Sequence, residues 1–216
     1  MNKTAAIFAA VAFAGAANAT VITSYTLFQE PGNQVSTPAT TSAANVSGLD
    51  MTRSANLNPT SAGNSISASG WTPDSNSFFS FGFSVDAGFV VNLDELIIAT
   101  RSSNTGPGDL GLFYSGDNFS TNLFTFTQTG TAFLNSTIDL SALTNLDGTV
   151  EFRISPISNR AANDGTLSSG GTFRISEFFD GSDFFPVQFT GVVIPAPASA
   201  ALLGLAGLVA VRRRRA

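Results

Sequence analysis

Along residues 20–191 apolar and polar side chains alternate over short runs, and no run repeats at the helical spacing. The clearest run is 77–85. Phe79, Phe81, Phe83 and Val85 share one face, and Ser80, Gly82 and Ser84 share the other. That is the period of a half-buried strand. The same alternation sets Val150, Phe152 and Ile154 against Glu151, Arg153 and Ser155, and Phe173 and Ile175 against Arg174 and Ser176. Val187, Phe189 and Gly191 alternate with Gln188 and Thr190. Further strands are predicted at 21–28, 93–101, 110–114, 122–127 and 132–139. Turn signals separate these runs, among them Pro31-Gly32, Asp86-Ala87-Gly88, Gly106-Pro107-Gly108, Gly116-Asp117-Asn118, Asp164-Gly165 and Asp180-Gly181. A single helical turn fits 141–145. Residues 31–70 are rich in Thr, Ser, Ala, Asn and Gly, so they read as long loops with strands near 46–51 and 65–69.

Nine or more short two-faced strands predict an all-β fold: an antiparallel β-sandwich filled by the abundant phenylalanines, with a jelly-roll-like topology. An immunoglobulin-like sandwich is the alternative. The 216-residue length suits one such domain with a sizeable core.

Composition narrows the chemistry. Charged residues make up only 12%, and Cys and His are both absent. No disulfide framework, thiolate nucleophile, Cys-ligated zinc or Ser-His-Asp relay is therefore possible. Five of the ten cations lie near the ends: Lys3, Arg212, Arg213, Arg214 and Arg215. The middle keeps five arginines against all fifteen acids, a net charge of −10. A body that acidic repels phosphate backbones, so nucleic acid is excluded as a partner.

The two ends differ from the middle. Residues 1–19 combine a basic start, an apolar stretch and the triplet Ala17-Asn18-Ala19. That order reads as a secretory signal peptide cleaved after Ala19. The other end runs Ile194-Pro195-Ala196-Pro197, then an uncharged Ala-, Leu- and Gly-rich stretch to Val211, then the four arginines. Residues 196–211 as a helix would span about 24 Å, short of the roughly 30 Å of a hydrocarbon core unless the bilayer thins or residues 192–194 join. A basic tail stays cytoplasmic, which places the body outside. The chain thus divides into a signal helix (1–19), a sandwich domain (20–193) and a C-terminal segment with a transmembrane helix (194–216).

This C-terminal pattern of proline motif, apolar helix and terminal arginines resembles the PEP-CTERM sorting signal. Ala196 stands where that family carries Glu. The resemblance implies passage through the Sec translocon and recognition by an exosortase near Pro195, Ala196 and Pro197. It also implies a bacterial cell surface or extracellular matrix rich in exopolysaccharide. Over 45–193, the runs 101–107, 115–119 and 171–175 resemble ectodomains that recur with such tails. That likeness implies a concanavalin- or carbohydrate-module-like sandwich.

The residues of the body allow four readings. Sugar stacking needs an exposed ring. Trp71, between Gly70 and Thr72-Pro73, and Tyr114 are the candidates, with Tyr25 behind them; the competing role for Trp71 is to cap the core. Structural Ca²⁺ would use Asp109 with Asp117, or Asp180 with Asp183, although Asp in such places also makes turns by itself. Glycoside hydrolysis needs two carboxylates on one cleft. Asp94 and Glu95 point to opposite faces of a strand, while Glu151 and Glu177 pair more simply with Arg153 and Arg174 as surface ion pairs. The fourth reading asks for neither catalysis nor cofactor: an exported structural or adhesion protein, with carbohydrate binding as the alternative.

Overall fold

The computed structural model describes residues 19–74 and 76–196. Along the chain these form β1 (Thr20–Tyr25), β2 (Pro31–Gly32), β3 (Ser36–Thr37), β4 (Thr41–Ser42), β5 (Val46–Arg53), β6 (Asn58–Pro59) and β7 (Ser65–Ser69). Next come β8 (Phe79–Val85), β9 (Phe89–Ser102), β10 (Asp109–Tyr114), β11 (Phe124–Thr127) and β12 (Leu134–Asp139). The last are β13 (Thr149–Pro156), β14 (Phe173–Ser176), β15 (Phe178–Phe179), β16 (Phe184–Phe185) and β17 (Val187–Pro195). One 3-10 turn at Ser115–Asp117 is the sole helical element among the described residues. The fold is all-β. The expected turn of helix at 141–145 is absent, and Asn145 there adopts a left-handed backbone (φ 55°).

Fifteen of the strands form two sheets that pack face to face, and β15 and β16 pair with each other as a separate hairpin. The first runs β2-β7-β14-β9-β17-β1-β4, with β12 also on β9 and β6 on β7. The second runs β11-β10-β13-β8-β5-β3. The expectation of purely antiparallel pairing needs one correction, because β2 pairs β7 in parallel. The reason is local. β2 is only two residues long, and it sits on the outer side of β7, beyond the edge that β7 shares with β14. Strand β9 organises the first sheet. One of its edges carries β12 over Glu95–Thr100; the other carries β17 as far as Ile97 and then β14 from Ala99.

The alternation read from the sequence fixes which residues meet between the sheets. Phe79, Phe81 and Phe83 from β8 and Phe152 from β13 all point inward and are fully buried. Facing them are Phe173 of β14 and Phe189 of β17. Phe189 is the hub: its ring lies 4.8 Å from Phe152, 5.6 Å from Phe81 and 5.8 Å from Phe83. Such offset and edge contacts add to the free energy of burial itself. Tyr25 brings a polar group into this region. Its Oη donates toward the Leu49 and Gly82 carbonyls (2.8 and 2.7 Å) and accepts from the Gly82 amide (3.0 Å). Burial pushes the phenol well above its usual range, so it stays protonated and keeps donating.

A second polar clamp holds the rim. Arg160 forks onto Asp109 through Nε (2.9 Å) and Nη2 (2.7 Å), and Nη1 reaches Asp164 (2.8 Å). Nη2 also donates to the Gly108 carbonyl. Hydrogen bonds from Arg160 hold the Asp109 carboxyl below the usual carboxylate range. In the unfolded chain the same carboxyl takes up a proton near pH 4. The stabilisation is therefore complete above that value and is lost as pH falls through the lower, folded one. Arg160→Met is expected to cost about 1–3 kcal/mol at neutral pH. The gap between variant and native stability should then shrink below about pH 4. Urea midpoints from pH 7 to pH 2 check both; a gap that stays constant on acidification would refute the linkage.

Candidate functional site

Several residues singled out in the sequence prove to be structural. Trp71 is only 2% exposed. Its ring is edge-on to Phe79 (5.1 Å) and Phe173 (5.5 Å), and Nε1 donates to the Ala68 carbonyl. Stacking on a sugar needs an open ring face, so that role is corrected: Trp71 is core. Tyr25 is sealed as described. Tyr114 is half-buried with its ring 5.4 Å from Phe152.

Three of the four aspartates named for Ca²⁺ have their carboxylates tied up in protein hydrogen bonds. Asp109 belongs to Arg160 and Ser158. Asp117 accepts from the Ser120 and Thr121 amides. Asp180 accepts from the Ser182 and Asp183 amides, closing the hairpin tip that it shares with Asp183. Among the described residues, no three of His, Cys, Asp and Glu come together.

The proposed row of ion pairs also needs correcting. Glu151 does pair with Arg153 at 2.7 Å, on β13. Glu177, however, turns away from Arg174. Its Oε1 accepts from Thr26 Oγ1 and from the Leu27 and Phe28 amides (2.7, 2.9 and 3.2 Å).

Pro195 closes β17 opposite Phe89, and the Ala196 amide donates to the Gly88 carbonyl, so the sandwich extends past residue 193. Ala17, Pro197, Arg212, Arg213, Arg214 and Arg215, and with them the signal helix and the transmembrane helix, lie outside the described residues. Among the described residues no helix is long and apolar enough to cross a membrane.

What the fold does assemble is a cleft on the outer face of the first sheet. On β14, Phe173 and Ile175 point into the core, so Arg174 and Ser176 point out. The register places Arg174 directly opposite Arg101 of β9. Phe133, just before β12, lies beneath both guanidiniums, with their carbons 4.9 Å (Arg174) and 5.1 Å (Arg101) from its ring centre. The β15–β16 hairpin then folds across β9 toward β12, where Asn135 of β12 exchanges two hydrogen bonds with the Phe179 backbone. Phe179 and Phe184 face each other at 4.7 Å on this hairpin. From the opposite side Phe28 is held in place by the Glu177 carboxylate.

The cleft has a volume of about 490 Å³, and its walls include Phe28, Phe133, Phe179, Phe184, Arg174 and Ser176. A shallower polar groove of about 240 Å³ continues from it and takes in Arg101 as well as Arg174. Phe184 is 68% exposed and Phe28 64%. Soluble domains seldom leave several large aromatic rings open together without a use.

The electrostatics are unusual for so acidic a protein. Among the described residues, neither Arg101 nor Arg174 has a carboxylate within ion-pairing distance or a hydrogen-bond acceptor. Two like charges sit side by side on adjacent strands, an arrangement that destabilises a sheet unless something compensates it. Burial first, and the neighbouring Arg101 charge second, lower the hold of Arg174 on its proton. At the base of the cleft, the Ser176 side chain is 5% exposed and its Oγ has no hydrogen-bond partner. A buried hydroxyl left unpaired costs about 1–3 kcal/mol. The cleft and the groove beside it thus offer two cations with no carboxylate partner and one unpaired hydroxyl among the described residues, next to apolar walls.

The sequence did carry a signal for this site. The doublets Phe178-Phe179 and Phe184-Phe185 flank Asp180-Gly181-Ser182-Asp183, and two arginines lie in β9 and β14 with no acidic residue within five positions of Arg101 and none nearer to Arg174 than Glu177. The chain matches no protein-family model, no curated protein and no solved structure.

Proposed function

We propose that this is an exported protein of the bacterial envelope or extracellular matrix that works by recognition and adhesion, without covalent chemistry. Its ends supply the route: the signal-peptide pattern through Ala19, and a C-terminal segment that resembles the PEP-CTERM sorting signal. In this reading the Sec translocon exports the chain, and an exosortase sorts it. It is then held by the C-terminal helix or released to the surface. We also read the sandwich as jelly-roll-like, because β7, β8, β9 and β10 change sheets at every step.

One observation carries the choice of binding over catalysis. Five of the eight carboxylates named for chemistry are engaged in folding: Asp109 and Glu151 in ion pairs, and Asp117, Asp180 and Glu177 as acceptors for backbone amides. At the outer cleft, by contrast, Arg101 and Arg174 have no carboxylate partner among the described residues, and Phe28 and Phe184 stay exposed. Acid–base work needs carboxylates poised over a substrate, whereas recognition needs open rings and unpaired charges.

Export and sorting are tested by the intact mass of the protein in membrane and medium fractions. The expected mature chain begins at Thr20, and processing at the proline motif would remove about the last 20 residues. A full-length chain in the cytosol that keeps residues 1–19 would overturn the route.

A further inference from the structure

We infer that the outer cleft is a binding site for an amphipathic carboxylate, a carboxyl group on an unbranched apolar body such as a medium-chain alkanoic acid. The inference rests on reading the cleft as a recognition surface, and it adds the chemical class of the ligand. Three independent features define that class. The first is charge: Arg174 and Arg101 are adjacent, unpaired cations at one side of the cleft, and a planar guanidinium pair suits a carboxylate. The second is the Ser176 hydroxyl, two residues along the same strand face from Arg174. It is buried, has no hydrogen-bond partner among the described residues and belongs to a residue that lines the same cleft, so a turn of the side chain would present it to a carboxylate as a second polar contact. The third is the wall. Phe28, Phe179 and Phe184 surround a space of about 490 Å³, within the roughly 300–1,000 Å³ of small-molecule sites.

The walls also decide against a sugar acid as the best occupant. Both guanidiniums already lie over the Phe133 ring, so a pyranose would have to compete with them for it. The remaining rings, Phe28, Phe179 and Phe184, make the apolar part of the wall, and Asn64, Asn135 and Glu177 are the polar groups beside them. An alkyl chain asks for no polar partner. Its carboxylate would also remove the repulsion between Arg101 and Arg174, so binding and local stability are coupled.

The test uses the full-length protein and a ten-carbon carboxylate that carries a terminal photoreactive diazirine. Saturable labelling is expected on fragments containing Phe179 and Phe184. Decanoate should compete at least tenfold better than decanol, which has the same body without the charge. The double substitution Arg101→Gln and Arg174→Gln should cut labelling at least tenfold. Phe184→Ser, on the exposed hairpin, should weaken it several-fold with no change in unfolding midpoint. Non-saturable labelling, equal competition by decanol, or labelling that survives both sets of substitutions would overturn the assignment.

A parallel arm measures retention on immobilised polygalacturonate. Arginine-dependent retention without decanoate binding would leave the recognition reading standing and refute this ligand class. Failure of both arms would refute the two together.

Discussion

Phe189→Ala should be the most damaging single truncation in the sandwich, lowering stability by about 3–5 kcal/mol. The value follows from position as well as size. Phe189 is fully buried on β17, and it is the one ring that touches Phe81, Phe83 and Phe152 together. Those three partners come from two neighbouring strands of the opposite sheet, so the hole left by Ala is walled by hydrogen-bonded ladders that cannot close around it. A cavity that fails to collapse costs more than the lost transfer free energy alone. For a domain of this size the thermal midpoint should fall on the order of 10 °C. Phe133→Ala offers the contrast: that ring is 52% exposed, and its loss should cost under about 1 kcal/mol. Equal losses at the two positions would mean that the core is not organised around Phe189.

The second large effect is expected at Gly82. This residue sits at the centre of β8, paired with Glu151 on one side and Leu49 on the other, at φ 154°. A methyl group there would be driven into the Val150 carbonyl, well inside van der Waals contact. The obstacle is backbone, and it cannot rotate away. The same residue receives and gives the hydrogen bonds that satisfy Tyr25 Oη, so a shifted strand would also strand a buried phenol. Gly82→Ala is therefore expected to cost about 3 kcal/mol or more. Gly148→Ala is the control: its φ is also positive, at 58°, but a methyl there meets nothing within 4 Å, which leaves only backbone strain of about 1 kcal/mol. Similar urea midpoints for the two variants would show that crowding at Gly82 is not what fixes the residue.

These positions also show what the sequence makes legible. Phe79, Phe81 and Phe83 announce a strand because their spacing is two and their neighbours are Ser and Gly, and the structure has β8 at that place. The strands predicted at 150–155, 173–176 and 187–191 are likewise found as β13, β14 and β17. Between residues 31 and 64, the short strands β2, β3, β4 and β6 are two residues each, built from Pro, Gly, Ser, Thr and Asn. Local pattern has nothing to act on there, and only the neighbouring strand decides the pairing. The β15–β16 hairpin was hidden for a different reason. Adjacent phenylalanines break the alternation, because one of each doublet must face away from any shared core.

The cleft was illegible as a unit. Phe28, Arg101, Phe133 and Arg174 are scattered over almost the whole body, and only the register of β9 with β12 and β14 brings the last three together. Trp71 misled because a lone tryptophan beside Gly and Pro looks like a loop residue, whereas its bulk fills the end of the sandwich beside Phe79 and Phe173.

The placement of β17 has a mechanical meaning. It is the last strand before residue 196, and it lies between β9 and β1 with hydrogen bonds to both. A tether attached at that end, with drag acting elsewhere on the domain, would pull along the axis of the strand. The two flanking ladders would then be sheared as a set, with no single rung opening ahead of the rest. Forced rupture is governed by the height of the unfolding barrier, and a strand gripped on both sides raises that barrier. A sandwich suspended this way is suited to hold its shape in flow.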